Sequence, residues 1–256
     1  MSDYAELFVG NSDVDVVVPE DVRYERLARR LHRRFVSLGY STHFENGQTP
    51  PPHHVISCFC RCAGIKGLVA LRPYLFLGKD ERKAGRLVPR QIAIQSSGLG
   101  ARYHIANKEW YAERFQAVVS ALKSKYSFVQ IGSHLDPAVA GVLDLRGKTR
   151  IRETAAILAE SLVFVGLAGF LMHLARTVEC RSVIVYGGRE LPSQTGYTCN
   201  ENLCSRLDCS PCWQHANCRH DRECMKMIEA GAVVEAIERQ VERFGTPLPL
   251  DTDWIS

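Results

Sequence analysis

The chain has 256 residues, 46% of them hydrophobic and 23% charged, with a formal net charge of +4. That length suits one large or two modest domains, and so small a charge does not by itself argue for a nucleic-acid partner. No apolar run is long enough to span a bilayer, and MSDYAELFVGNSD lacks the basic region and apolar core of a secretory signal, so the expected address is the cytoplasm.

In chain order, DVDVVV (13–18) reads as a short strand ending at Pro19. Val22 to Leu38 reads as a helix with Leu27, Leu31 and Phe35 on one face. Its other faces carry Arg23, Arg26, Arg29, Arg30, Arg33 and Arg34, either as a solvated basic surface or as an electrostatic guide for an anionic partner. QTPPP (48–52) is an extended connector. HVISCFCRCAGI alternates as a strand would, with Cys58, Cys60 and Cys62 on one side, either as core packing or as metal ligands. LRPYLFL (71–77) is extended, and GKDERKAGRLVPR (78–90) reads as a boundary or linker.

From Arg90 onward, strands and helices alternate. Gln91–Gln95 is a strand, SSGLGARYHIANKEW a loop, and Lys108–Lys125 a helix with Asn107 as N-cap and Phe115, Val118, Val119 and Leu122 inward. Phe128–Gly132 and Val142–Leu145 are strands, and Ile151–Ser161 is a helix. Two Val-rich runs, Leu162–Gly166 and Ser182–Gly188, flank a helix from Phe170 to Val178, forming a β-α-β unit. Gly166 and Gly169 leave the amides at the start of that helix free to point at an anion, with His173 in its first turn. The plainer alternative is an ordinary crossover with a packed histidine. This alternation predicts an α/β fold with a parallel sheet, whose ligands bind beyond the carboxyl ends of the strands.

Those strand ends present Ser96 and Ser97, then Ser133 and His134, then Gly166 to Phe170, with Lys108 opening the first helix. Two hydroxyls, a lysine and a glycine-bordered helix start would suit a diphosphate, pointing to a nucleotide or nucleotide-sugar site. Neither GxxxxGK[ST] nor a clear GxGxxG is present, which argues against a P-loop and a dinucleotide fingerprint.

Ten cysteines are unevenly spread, six of them between Cys199 and Cys224. After the polar stretch Arg189–Ser210, CSPCWQHANCRHDREC spaces Cys209, Cys212, Cys218 and Cys224 as C-x2-C-x5-C-x5-C. A tetrahedral zinc or iron site, free thiols or disulfides are the alternatives, with His215, His220, Cys199 and Cys204 as spare ligands. Arg206, Arg219, Arg222 and Lys226 are offset by Asp208, Asp221 and Glu223, so no nucleic-acid partner is expected there. Met225–Arg243 reads as a closing helix.

SSG…NKEWYAERFQAVVSAL, DLRGKTRIRETAAILAES, LVFVG…LMHLAR, SVIVYGG and CSPCW…C…C together resemble glycosyltransferase family 9, the ADP-heptose:lipopolysaccharide heptosyltransferase-like enzymes. The resemblance spans residues 90 to 240 closely and 1 to 80 loosely. It implies a GT-B-like architecture of two Rossmann-like parallel-sheet domains, the N-terminal one truncated. Residues 1–85 would be an abbreviated acceptor-side α/β domain, and 86–256 the nucleotide-sugar domain with a Cys-rich segment at 199–224.

The implied activity is inverting transfer of a heptose-type sugar from an ADP- or NDP-sugar to a glycan, small-molecule or protein acceptor. No organic cofactor and no transmembrane segment are implied. By position, Ser96, Ser97 and Lys108 look like the residues that hold the donor diphosphate. Ala168, Gly169, Phe170 and His173, with Met172 nearby, look like the diphosphate and sugar loop, while Ser133 and His134 lie toward the nucleoside. Related protein heptosyltransferases hold iron with a cysteine cluster, which points to Cys209, Cys212, Cys218 and Cys224 as a structural zinc or iron site.

Two departures stand out. VGLAGFLMH has Ala168 where the family shows an acidic residue and Phe170 where it shows a second glycine. The family's early Gly-Asp pair, which carries the general base, has no counterpart, leaving Asp13, Asp15, Glu45, His54 and His173 as candidates. A catalytically degenerate nucleotide-binding or scaffold protein of the same fold is the alternative function.

Overall fold

The computed structural model describes residues 2–17, 22–31 and 50–245. A 3-10 helix (Ser2–Phe8) and helices α1 (Val22–Arg30), α2 (Val55–Cys62) and α3 (Lys79–Ala84) precede the sheet. The strands are β1 (Gln91–Ile94), β2 (Ser127–Gln130), β3 (Leu143–Asp144), β4 (Val163–Leu167), β5 (Ser182–Gly187) and β6 (Glu201–Cys204). Between and after them run α4 (Ala112–Leu122), α5 (Ile151–Ala159), α6 (Phe170–Thr177), α7 (Pro192–Thr195), α8 (Glu223–Lys226) and α9 (Ala230–Phe244).

The six strands pair in the order β3-β2-β1-β4-β5-β6, and every pairing is parallel. Ile92 therefore sits beside Phe128 on one side and Val163 on the other. The order reverses between β1 and β4, and ligands of such sheets bind in the crevice outside the carboxyl ends of the strands at that reversal. The α/β fold class is as expected.

Alternation along the strands divides the core between the two faces of the sheet. Ile92, Ile94, Val163, Val165, Val183 and Val185 face a layer holding Phe115, Val118 and Leu122 of α4 and Val233 and Ile237 of α9. Ala93, Phe164 and Ile184 face the other way, onto Ala155 and Leu158 of α5 and Met172 and Leu174 of α6. Each large side chain so buried contributes about 1.5–3 kcal/mol, which makes these layers the main source of stability.

Several expected elements differ. Residues 13–17 form no strand: Asn11 Oδ1 accepts from Asp13 N at 2.9 Å in a local turn, and Val16 and Val17 are exposed. The predicted helix beyond Leu31, with Phe35, Arg33 and Arg34, lies outside the described residues, as do Glu45 and the start of the QTPPP connector.

Residues 55–62 are helix α2 rather than a strand. His54 caps it by accepting from Ile56 N at 3.2 Å, and Val55 and Cys58 are buried three residues apart while Cys62 is exposed. Cys58 and Cys62 thus lie near one helical face and Cys60 lies off it, so the three thiols do not line one side of a strand.

The 78–90 segment is docked. Glu160, 9% exposed, accepts from Arg82 Nε at 2.9 Å and Arg86 Nε at 2.8 Å. Buried Gln91 Nε2 donates to Gly85 O, Ile157 O and Ser161 Oγ. Helix α4 begins at Ala112 with Tyr111 at its N-cap, and Lys108 ends a separate 3-10 turn, Ala106–Lys108. Asn107 is therefore no cap: its Nδ2 donates to Gln214 O and Ala216 O, both at 3.2 Å. The polar stretch after β5 contains α7 and the sixth strand, and the closing helix is divided into α8 and α9. No helix among the described residues is long and apolar enough to cross a membrane.

Candidate functional site

The crevice at the β1/β4 reversal is bounded by the loop after β1, the Lys108 turn, the start of α6 and the connection from β5 to β6. Ser96 and Ser97 are both buried, and their hydroxyls are committed within the protein. Ser96 Oγ donates to Pro137 O at 2.6 Å and accepts from Gln130 Nε2 at 2.9 Å. Ser97 Oγ donates to Glu109 Oε2 at 2.7 Å and accepts from Leu99 N at 3.0 Å. The pair shapes the floor of the loop.

Lys108 Nζ forms an ion pair with Glu190 and donates to Ala168 O at 3.3 Å. The ammonium thereby joins the β4 loop to the β5 loop. Glu190 is only 2% exposed, and Arg189, at 3.8 Å, is its other cation. Leaving a carboxylate so buried without a cation would cost several kcal/mol, about 3–5 when one partner of a buried pair is removed. The sequence reading missed Glu190, although its place just beyond YGG, at a strand's carboxyl end, marks it as a site position.

The start of α6 is built differently from expectation. Gly169 is the N-cap with φ 171° and ψ −161°, an extended backbone open to any residue, so the turn does not demand glycine. A Cβ placed there would meet nothing within 4 Å. Its lack of a side chain therefore leaves room over the helix amides, which carry the positive end of the helix dipole. Gly166 lies inside β4, where a Cβ would strike the Phe164 ring at 2.6 Å, so it serves packing. The Ala168 side chain is buried among Phe164, Leu171 and their neighbours, while Phe170 is 52% exposed. Met172 is fully buried, and its sulfur accepts from Tyr186 Oη at 3.1 Å, so it packs rather than facing a ligand.

His173 Nδ1 lies 2.7 Å from Tyr197 Oη, with the two rings edge-on at 88°. Burial pushes its pKa down to about 4; Glu190 opposes that shift, and Lys108 and His54 reinforce it. The imidazole is neutral at neutral pH. His54 is 6% exposed with both ring nitrogens engaged, Nδ1 by Ile56 N and Nε2 by Gly196 O at 2.9 Å. It therefore supports the chain beside Tyr197 and offers no nitrogen to an acceptor. Asp13 and Asp15 are exposed on the N-terminal turns.

After β2, His134 is exposed, and Ser133 Oγ accepts from Leu135 N at 3.1 Å. Asp136 is buried behind them and accepts from Ser133 N at 3.1 Å. Burial raises its pKa to about 6, against hydrogen bonds from the Ser133 and Gly100 amides. This carboxylate was also missed, because a polar loop residue carries no sequence mark of burial.

The cysteine segment departs from expectation. All ten cysteines are free thiols, and Cys209 is exposed while Cys212, Cys218 and Cys224 are half-buried. Burial raises the Cys224 thiol pKa, and the proximity of Cys218 and Cys212 adds to the effect. Among the described residues, however, no three His, Cys, Asp or Glu side chains are grouped to hold a metal ion. The expected cage of Cys209, Cys212, Cys218 and Cys224 is not assembled, and His220 is exposed. Packing holds the segment instead. Trp213 is 3% exposed and donates to Gln194 Oε1 at 3.0 Å, Arg189 donates to the Gln214 and Trp213 carbonyls, and Asn107 pins residues 214 and 216.

The chain is similar in fold to solved glycosyltransferases. A family 9 glycosyltransferase from Veillonella parvula superposes with a TM-score of 0.62 at 13% identity, covering 91% of this chain and 75% of that one. ADP-heptose lipopolysaccharide heptosyltransferase II of E. coli gives 0.57 at 18% identity, covering 81% and 65%. The iron-containing dodecameric glycosyltransferase TibC of enterotoxigenic E. coli gives 0.57 at 18%, covering 74% and 54%. The chain thus spans about two thirds of the second relative and about half of the third. No curated protein matches it significantly in sequence. The family model for glycosyltransferase family 9 (heptosyltransferase) matches residues 90–222, which include the β1, β2, β4 and β5 loops of the crevice. Since that match covers just over half of the sequence, the chain belongs to glycosyltransferase family 9.

Proposed function

We propose that the chain moves a heptose-type sugar from an ADP- or related nucleoside-diphosphate donor to an acceptor hydroxyl, with inversion at the anomeric carbon. The observation that carries this reading is the convergence of Lys108, the unobstructed Gly169 end of α6 and the neutral His173 at the switch point of the sheet. In such a transfer the acceptor oxygen attacks the anomeric carbon and the carbon–oxygen bond to the diphosphate breaks. The diphosphate leaves with the electron pair, and a base takes the acceptor proton. Lys108 and the α6 amides are suited to the charge that develops on the leaving diphosphate, because both are held before the reaction begins. The loop of Ser133 and His134 would lie toward the nucleoside, and Ser96 and Ser97 would shape the loop beneath the diphosphate.

The test is a thermal-shift titration with ADP. Saturation at about 100 times Kd stabilises the folded chain by roughly 2.7 kcal/mol. Lys108→Ala is expected to abolish the shift. Gly169→Ala is expected to keep the ligand-free melting temperature and lose most of the shift, because its methyl enters the space above the helix amides. No response to any nucleoside diphosphate would refute the reading.

A second reading, a nucleotide-binding protein of the same fold without turnover, is favoured by the buried Ala168 methyl at the family's acidic position. ADP binding without donor consumption across an acceptor panel, persisting in Ala168→Asp, would support it.

A further inference from the structure

The connection between β5 and β6 supplies two polar side chains, Glu190 and Tyr197, that touch Lys108 and His173. The first contact is an ion pair. The second concerns a neutral imidazole, which presents one nitrogen as donor and the other as acceptor, and whose tautomer is set by its fixed neighbour.

Tyr197 is such a neighbour. It is 4% exposed, and its ring is held edge-on to His173 and 5.8 Å from His54. The backbone beside it is tied from far along the chain. Ile56 N–H donates to His54 Nδ1, so the His54 proton is on Nε2, which donates to Gly196 O at 2.9 Å. On the other side, Asn202 Nδ2 donates to Tyr197 O at 3.0 Å. The backbone that carries the phenol is thus held from both sides. The two atoms, Tyr197 Oη and His173 Nδ1, lie 2.7 Å apart; a phenol is the stronger acid of the pair and an imidazole nitrogen the stronger base, so Oη–H donating to Nδ1 is the stronger of the two arrangements.

We propose that Tyr197, braced by His54 through Gly196, is a positioning residue that fixes His173 as the Nε2–H tautomer and so makes it a hydrogen-bond donor to the donor diphosphate. This rests on the nucleotide-sugar reading of the crevice. Because burial holds the imidazole neutral, His173 would contact an anion as a directed N–H rather than as a cation. An Nδ1–H tautomer would turn an acceptor lone pair toward the phosphate oxygens and repel them.

The test uses the whole chain labelled with 15N-histidine, with the His173 ring signals assigned by their loss in His173→Gln. In the wild type the nitrogen spectrum is expected to show Nδ1 as the unprotonated, pyridine-type nitrogen and Nε2 as the protonated one. Tyr197→Phe keeps the ring and removes the hydroxyl. It is expected to give a mixture of tautomers and to weaken ADP binding, measured by calorimetry, about tenfold, the order of one lost oriented hydrogen bond. A wild-type spectrum with the proton on Nδ1, or a Tyr197→Phe spectrum identical to wild type, would overturn the proposal. So would a changed tautomer with unchanged ADP affinity. If the wild type binds no nucleoside diphosphate, the donor-site reading fails, while the spectra still decide whether Tyr197 sets the tautomer.

Discussion

Lys108 and Glu190 lend themselves to a quantitative test because their burial is unequal. The Glu190 side chain is 2% exposed and the Lys108 side chain 18%. Replacing Lys108 by Met strands a buried carboxylate, leaving it Arg189 at 3.8 Å, a cation already committed to the carbonyls of Trp213 and Gln214. Breaking a buried pair from one side costs roughly 3–5 kcal/mol, and the remaining arginine argues for the lower end, about 3 kcal/mol. Replacing Glu190 by Gln strands an ammonium that still donates to Ala168 O and reaches solvent, so about 1.5 kcal/mol is expected. Lys108→Met with Glu190→Gln should cost less than the sum by about 1–2 kcal/mol, since the second change removes the charge that the first one orphans. Urea denaturation followed by the fluorescence of the three tryptophans measures all three variants. In a chain of this size about 3 kcal/mol corresponds to roughly 6–12 °C in melting temperature. Additive losses, or a Lys108→Met cost below about 1 kcal/mol, would show that the pair is not a buried one.

Gly85→Ala should destabilise the chain by about 3 kcal/mol, because its Cβ would lie 2.0 Å from Ala156 O, a backbone atom of α5 that cannot yield. A neutral effect in denaturation would mean that 78–90 is an undocked linker after all. Asp136 has a folded-state pKa of about 6, above its ordinary value of 3.8, so the native chain binds the extra proton first. Its contribution to stability is full below about pH 4 and is lost as the pH rises through about 6. Melting temperatures measured across that window should show this component in the wild type and not in Asp136→Asn; identical profiles would disprove the assignment. In native maleimide labelling, exposed Cys62 and Cys209 should react first, and Cys180, buried with its thiol pKa raised by burial, should react last. Early labelling of Cys180 would mean that the core beside α6 is open.

The sequence by itself determined the alternating strands and helices from Gln91 to Gly187, because each central strand is a short apolar run and each helix shows its inward face at helical spacing. It also brought out the loops after β1, β2 and β4, the lysine and the histidine, along with the family to which the chain belongs. Its errors have physical causes. Alternating polarity at residues 55–62 imitates a strand until Val55 and Cys58 are seen buried against the rest of the chain. ENLC passes for loop because an edge strand needs no apolar face on both sides, and β6 is only half-buried. The four cysteines have the spacing of a metal site, but the packing of Trp213 and its neighbours shapes that segment.

Only the tertiary structure decided the strand order that opens the crevice between β1 and β4. Only it showed that the two serine hydroxyls are spent on Pro137 and Glu109, and that Glu190 meets Lys108. The bond from His54 to Gly196 joins positions 142 residues apart, and Tyr197 lies 24 residues beyond His173. Local periodicity reports which face of an element is buried; contacts across such separations arise only when the sheet brings distant loops to one edge.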